Sequence, residues 1–191
     1  ETAVVDAARW LPSGSGLSER FDGDRVAAAA ELLRRYLQSH GPATLRDFAW
    51  WTKLPLGIVR AAFPLIVDTV ESGAIPGTDE TAHWRPGLME EYAAGERDAM
   101  RELLLPGFDE LILGYPDRLA FMSAADHAAL VPGNNGVFKR SAIRRGRVVG
   151  TWTRKGAAGR RRLSLTPLTA VSTAQSARFE RLFAAFPYTA P

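Results

Sequence analysis

The residues of this chain that could do chemistry are mostly cations, and they crowd into one segment. Lys139, Arg140, Arg144, Arg145, Arg147, Arg154, Lys155, Arg160, Arg161 and Arg162 are all basic, and no Asp or Glu lies between positions 139 and 162. Over the whole chain 24 Lys and Arg face 21 Asp and Glu, so the net charge of +3 hides a basic segment in an acidic remainder. Cations without counter-charges repel one another unless an anion sits among them, and a strand of phosphates suits such a segment. A solvated face or an acidic protein partner would accommodate it too. Lys53 and Arg60, near a short helix early in the chain, form a secondary binding set. The three histidines, His40, His83 and His127, are too scattered to form a metal cluster by spacing. There is no cysteine, which excludes disulfides and thiolate metal sites. Neither a metal nor a cofactor is expected. A reducing, cytoplasmic location fits the absence of cysteine. The longest apolar stretch, around residues 61–67, is far short of the about 20 residues a membrane span needs, so no membrane partner is expected. The chain opens on Glu1 without a methionine, and a truncated or processed start is expected.

The elements that must hold these side chains can be read from periodicity and punctuation. Residues 1–23 read as an irregular segment with a linker-like Pro12-Ser13-Gly14-Ser15-Gly16. Asp24 caps a helix whose apolar positions Val26, Ala29, Ala30, Leu33, Tyr36 and Leu37 recur at helical spacing. Gly41-Pro42 ends it, and Thr44, with Asp47 three residues on, starts a second, short helix. Of the adjacent Trp50 and Trp51, one is expected in the core and the other against a neighbouring unit, because neighbouring helical residues point about 100° apart. A third helix begins near Gly57 and is kinked or ended by Pro64. It offers Arg60 and otherwise apolar side chains, which favours packing over reading of bases. Short strands flank residues 78–80. Three helices followed by a hairpin is the order of a winged helix, although a plain three-helix bundle shares it.

A helix is expected over residues 88–103. After it, residues 111–113 and 119–122 read as short strands, and Ser123 caps a helical turn. Residues 137–143, 147–154 and 160–165 read as three antiparallel strands, turning at Arg145-Gly146 and at residues 156–159. Alternation places positions 148, 150, 152 and 154 on one face, with Trp152 in the core and Gly150 allowing close approach of a neighbour. A helix over residues 170–186 closes the chain. The expected architecture is α+β: a winged-helix domain over residues 24–100, then a mixed domain over 101–191 with an antiparallel sheet, basic hairpins and a C-terminal helix.

Three motifs, in order, are similar to a known family. His40-Gly41-Pro42-Ala43-Thr44, with Asp47-Phe48-Ala49-Trp50-Trp51-Thr52 and Leu54-Pro55, resembles the second winged helix of a bacterial family of tandem winged-helix DNA-binding proteins. Pro106-Gly107-Phe108-Asp109, Leu113-Gly114-Tyr115 and Asp117-Arg118 resemble the segment that follows it, and Gly146-Arg147-Val148-Val149-Gly150-Thr151-Trp152 resembles the C-terminal β region. The family includes the AlkZ-like DNA glycosylases, which remove alkylated bases and unhook crosslinks. The resemblance implies a basic, concave surface that cradles duplex DNA. It also implies a catalytic glutamine–apolar–glutamine triplet, or a variant with histidine first or aspartate last, in a more N-terminal part.

This chain departs from the family there. Its glutamines are Gln38 and Gln175, and no histidine begins a variant triplet. No catalytic residue is therefore assigned, and whether the protein is an enzyme stays open. A glycosylase needs a polar group to position water and something to stabilise oxocarbenium charge. Asp109, Glu110 and Asp117 beside Arg118 have suitable chemistry, but capping, turn and ion-pair roles account for them better. The expected function is duplex DNA binding as the C-terminal part of a glycosylase-like repair protein, with its catalytic N-terminal lobe outside this chain. The competing expectations are a non-catalytic DNA-binding or regulatory protein, and a module for an acidic protein.

Overall fold

The structure, a computed structural model, describes residues 5–157 and 160–186. It divides into two compact units, Glu1–Met89 and Glu90–Pro191.

The first unit begins with two short helices, α1 (Ala7–Trp10) and α2 (Leu17–Phe21). The long helix α3 (Arg25–His40) starts where the Asp24 carboxylate accepts hydrogen bonds from the backbone N–H groups of Val26 and Ala27, at 2.8 and 3.1 Å. It buries Ala29, Ala30, Leu33, Tyr36 and Leu37, the predicted stripe less its first member. Helix α4 (Leu45–Thr52) opens on a full capping box: Thr44 accepts from the Asp47 N–H at 3.1 Å, and Asp47 accepts from the Thr44 N–H at 2.7 Å. Helix α5 (Leu56–Ala62) passes at Phe63-Pro64-Leu65 into a tighter turn, because Pro64 has no N–H to continue the ladder. Strands β1 (Glu71–Ala74) and β2 (Thr81–Trp84) form an antiparallel hairpin. Ala43, between α3 and α4, adds a bridge to His83 through paired backbone hydrogen bonds of 3.0 and 2.8 Å. The core of the unit is Leu33, Leu37, Phe48, Val59 and Ala62. Neither tryptophan of the Trp50-Trp51 pair fills it. Phe48 takes that place, Trp51 is 38% exposed against Tyr36 and His40, and Trp50 is half-buried beneath Lys53.

Helix α6 (Leu88–Ala99) begins at the unit boundary and buries no residue. It stops short of residue 103, because Leu103–Leu105 forms strand β3 instead. The strand wins there because this apolar run pairs with a neighbour and is stopped by Pro106. Residues 111–113 lie in a short helix, α7 (Glu110–Leu113), not in a strand, because Asp109 caps it by accepting from the Leu111 N–H at 3.0 Å. Residues 119–122 form a turn, not a strand; Asp117 accepts from the Leu119 N–H at 2.9 Å. Helix α8 (Ala124–Leu130) has its own capping box, Ser123 with Asp126.

The rest of the second unit is a sheet with a helix on it. Strands β3, β4 (Ser141–Arg144), β5 (Arg147–Lys155) and β6 (Arg162–Pro167) lie in sequence order, each antiparallel to the next. Helix α9 (Thr173–Ala185), capped by Ser172 and Gln175, packs Phe179 and Phe183 on Leu104, Ala142, Val149 and Trp152. The opposite face is covered by Ile112, Met122, Leu130 and Val131, which pack on Ile143 and Val148. Trp152, 2% exposed, donates its indole N–H to the Leu105 carbonyl at 2.9 Å and meets Phe183 and Phe186 edge-on. A Cβ on Gly150 would come within 2.9 Å of the Thr166 carbonyl oxygen, so only glycine fits between β5 and β6 there. Simple alternation fails at Val148. The register pairs Ala142 with Gly150 but Ile143 with Val148, so Val149 is an extra residue. This bulge turns Val148 to the α8 side and gives Val149 to the α9 side.

Candidate nucleic-acid interface

The sheet does not gather the ten cations into one patch. Its nine-residue strand β5, at about 3.3 Å per residue, separates two groups by about 26 Å. At one end stand Arg144, Arg145 and Arg147, and at the other Arg154, Lys155, Arg160, Arg161 and Arg162, with Lys139 and Arg140 ahead of β4.

The first group is built by the β4–β5 hairpin. Arg144 pairs directly with Arg147, leaving Arg145 and Gly146 as the two central residues of the turn, both with positive φ, +50° and +71°. Such turns match the twist of the strands and favour Asn-Gly or Gly at these positions. An arginine there costs about 1–2 kcal/mol of backbone strain, yet this one is exposed at the tip. Arg147 donates to the Ala120 carbonyl at 3.4 Å. The three arginines, with Ser123 and Asp126, line a cleft of about 300 Å³. Asp126 accepts from the Ser123 hydroxyl through Oδ2 at 2.7 Å and, among the described residues, brings the one carboxylate to this cleft.

The second group surrounds the β5–β6 turn. Lys155 pairs directly with Arg162, so the two share a sheet face. Arg154 pairs with Leu163 and lies on the opposite face. Arg160 precedes the strand and is exposed, whereas Arg161 is half-buried. By alternation about the bulge, the Arg144–Arg147 pair and the Lys155–Arg162 pair lie on opposite faces of the sheet.

Both ends of β5 thus carry a like-charge cross-strand pair, an arrangement that costs stability. Among the described residues, Arg144, Arg145, Lys155, Arg160, Arg161 and Arg162 form no ion pair with a carboxylate. Ion pairs elsewhere include Glu102 with Arg178 and Glu80 with Arg46. Lys139 donates to the Ala129 carbonyl at 2.8 Å, and the Arg140 guanidinium lies 5.5 Å from the Trp152 ring centre. In the first unit Lys53 lies 4.0 Å over the Trp50 ring, and Arg60 is exposed on α5.

The remaining chemistry-bearing residues have structural roles. Asp109 and Asp117 are the cap and turn residues already described. Arg118 does not stand beside Asp117 as an exposed ion pair. It donates to the Ile112 carbonyl at 2.9 Å and covers the Phe138 ring, and burial lowers its pKa. His83 is buried, hydrogen-bonded through Nδ1 to Ser72 at 2.6 Å and packed on Phe63; desolvation lowers its pKa below the ordinary value. Gln175 is spent as the reciprocal cap of α9, accepting from the Ser172 N–H at 2.7 Å. Among the described residues no group of three or more His, Asp or Glu side chains could hold a metal ion. Among them, too, no helix is long and apolar enough to cross a membrane.

Fold and site together define an α+β protein with a helical unit that ends in a hairpin, and a helix-backed sheet that presents clustered cations at both ends of its longest strand. The chain belongs to the AlkZ-like DNA glycosylase family, whose model matches residues 3–187. Its fold is similar to that of the Streptomyces sahachiroi DNA glycosylase AlkZ, with a TM-score of 0.69 at 24% identity. That match covers 84% of this chain and 42% of the other, so the chain spans less than half the length of that protein. No curated protein sequence matches the chain.

Proposed function

We propose that this chain is the duplex-holding portion of a DNA-repair protein. On this reading the cations at the two ends of β5 contact DNA phosphates, and the base-excising glutamine triplet is supplied by sequence beyond these 191 residues. The observation that carries the reading is the pair of like-charge couples, Arg144–Arg147 and Lys155–Arg162. Each costs stability in the free protein, and each is relieved when a phosphate lies between its members. Family membership supports DNA as the polyanion.

The first unit is a winged helix on the same reading. Its order of helix, bridging strand residue, helix, helix and hairpin supports this, with β1–β2 as the wing. Helix α5 presents Arg60 together with half-buried or exposed apolar side chains, including Ile58, and the turn after it exposes Leu65. That surface suits packing against protein better than reading of base edges, which calls for polar side chains. The sheet and its tips are the main phosphate-contacting surface, with Lys53 and Arg60 secondary.

The test is a fluorescence-anisotropy titration of a fully paired 20-base-pair duplex at low salt. Micromolar or tighter binding is expected. Arg144, Arg145, Arg160 and Arg162 together changed to Ala should weaken it by at least tenfold. Unchanged affinity in that variant, with an unchanged unfolding curve, overturns the assignment.

A further inference from the structure

Three stretches far apart in sequence meet in a groove of about 390 Å³ in the second unit: residues 106–108 after β3, 138–140 before β4, and 151–153 in β5. Its size is that of small-ligand sites. Among the described residues no carboxylate lines it, while Lys139 and Arg140 both do.

Phe108 stands on its rim and is anomalous twice over. It is 58% exposed, and its φ is +61°. A bulky side chain in the left-handed region is a genuine outlier, and such strain persists where the surroundings impose it. Gly107 shows the constraint, since a Cβ there would come within 2.9 Å of the Phe138 carbonyl oxygen. The chain is thereby pressed against residue 138 and the Phe108 ring turned outward, 6.1 Å from the Phe138 ring at 59°. Phe138 is held from another side by the Arg118 guanidinium, 5.1 Å from its centre. Burial of apolar area does not account for an aromatic ring kept exposed at a cost in backbone strain.

The polar groups here are spaced around that ring. Lys139 is fixed by its hydrogen bond to the Ala129 carbonyl, which leaves two of its three donors. Arg140 is oriented by the Trp152 ring. Thr151 and Thr153 share the sheet face that lines the groove. A flat apolar face, two oriented cations and no acid together fit a planar ring that carries a phosphate.

We propose that this groove is a subsite for one unpaired DNA nucleotide, its base against Phe108 and its phosphate at Lys139 and Arg140. A paired base has both faces stacked, and only an unpaired one offers a face to an aromatic side chain. The subsite rests on the DNA-binding reading above, and it adds a preference for interrupted over intact duplex.

The test compares two duplexes of one sequence, one fully paired and one with a single extra, unpaired 5-iododeoxyuridine. The unpaired duplex should bind about tenfold more tightly, as expected for one stacked base. Phe108→Ala should remove that preference and leave affinity for the paired duplex unchanged. Phe108→Tyr should restore it, and irradiation should crosslink the iodinated base to Phe108 or Phe138. Equal affinity for both duplexes overturns the proposal while duplex binding stands, and so does a preference that survives in Phe108→Ala. A single-stranded pentathymidylate separates the two readings further. Binding to it that depends on Phe108, without binding to either duplex, keeps the subsite and sinks the duplex reading. No binding to any of the three sinks both.

Discussion

Replacing Arg162 with glutamate should stabilise the protein and weaken its hold on DNA at the same time. Arg162 stands directly opposite Lys155 across β5 and β6, and both are exposed. A cross-strand pair of opposite charges contributes roughly 0.2–1 kcal/mol, and a like pair costs a similar amount. Exposure and salt screening reduce both figures, so the swing from Lys–Arg to Lys–Glu is set at about 0.5–1 kcal/mol. In a unit of about 100 residues that raises Tm by about 2–5 °C. Thermal unfolding followed by circular dichroism measures the gain, which should shrink in 0.5 M salt. On DNA, losing one phosphate contact should flatten the salt dependence by about one unit of slope, and the new carboxylate lowers affinity further, about tenfold in all. Lys155→Glu should behave alike. A variant that unfolds earlier and binds DNA as before would refute the reasoning, for the pair would then be a structural feature and not an anion site.

Gly150→Ala places a Cβ within 2.9 Å of the Thr166 carbonyl oxygen and should cost about 1–3 kcal/mol by overpacking, read from the denaturation midpoint. Ser123→Ala removes one half of the α8 capping box and should cost about 1 kcal/mol, read from the same midpoint. His83 adds a pH dependence. Burial holds its folded pKa below the ordinary 6.5, so below that pH the unfolded chain takes up a proton that the folded one resists, and stability falls as pH drops through and below 6.5. His83→Gln should flatten this part of the stability–pH curve; a curve of unchanged slope would show that His83 is not its source.

Much of this molecule was legible in its residues wherever the signal is local. Asp24, Thr44 and Ser123 each precede a helix and each caps it. Arg145-Gly146 is a turn, and Gly150 and Trp152 mark where a strand is closely packed. What escaped depends on partners distant in sequence. Leu103-Leu104-Leu105 continues a helical pattern but becomes β3 because β4 pairs with it. Leu111–Leu113 is a local exception: it resembles a strand by composition, but the neighbouring Asp109 cap makes it a helix. One extra residue at Val149 reversed the face of Val148, and no alternation rule foresees a bulge. The basic segment was legible as charge, but its division into two ends of one strand follows from the register. Phe108 carried no sequence signal as a rim residue, since its groove is assembled from three separate stretches.

The central claim is that the cations at the two ends of β5 engage a polyanion by displacing its counterions. The slope of log K against log salt for an intact duplex measures this directly. With about six phosphates contacted, the slope should be about −5. A slope near zero, or no measurable binding at 50 mM salt, would contradict it.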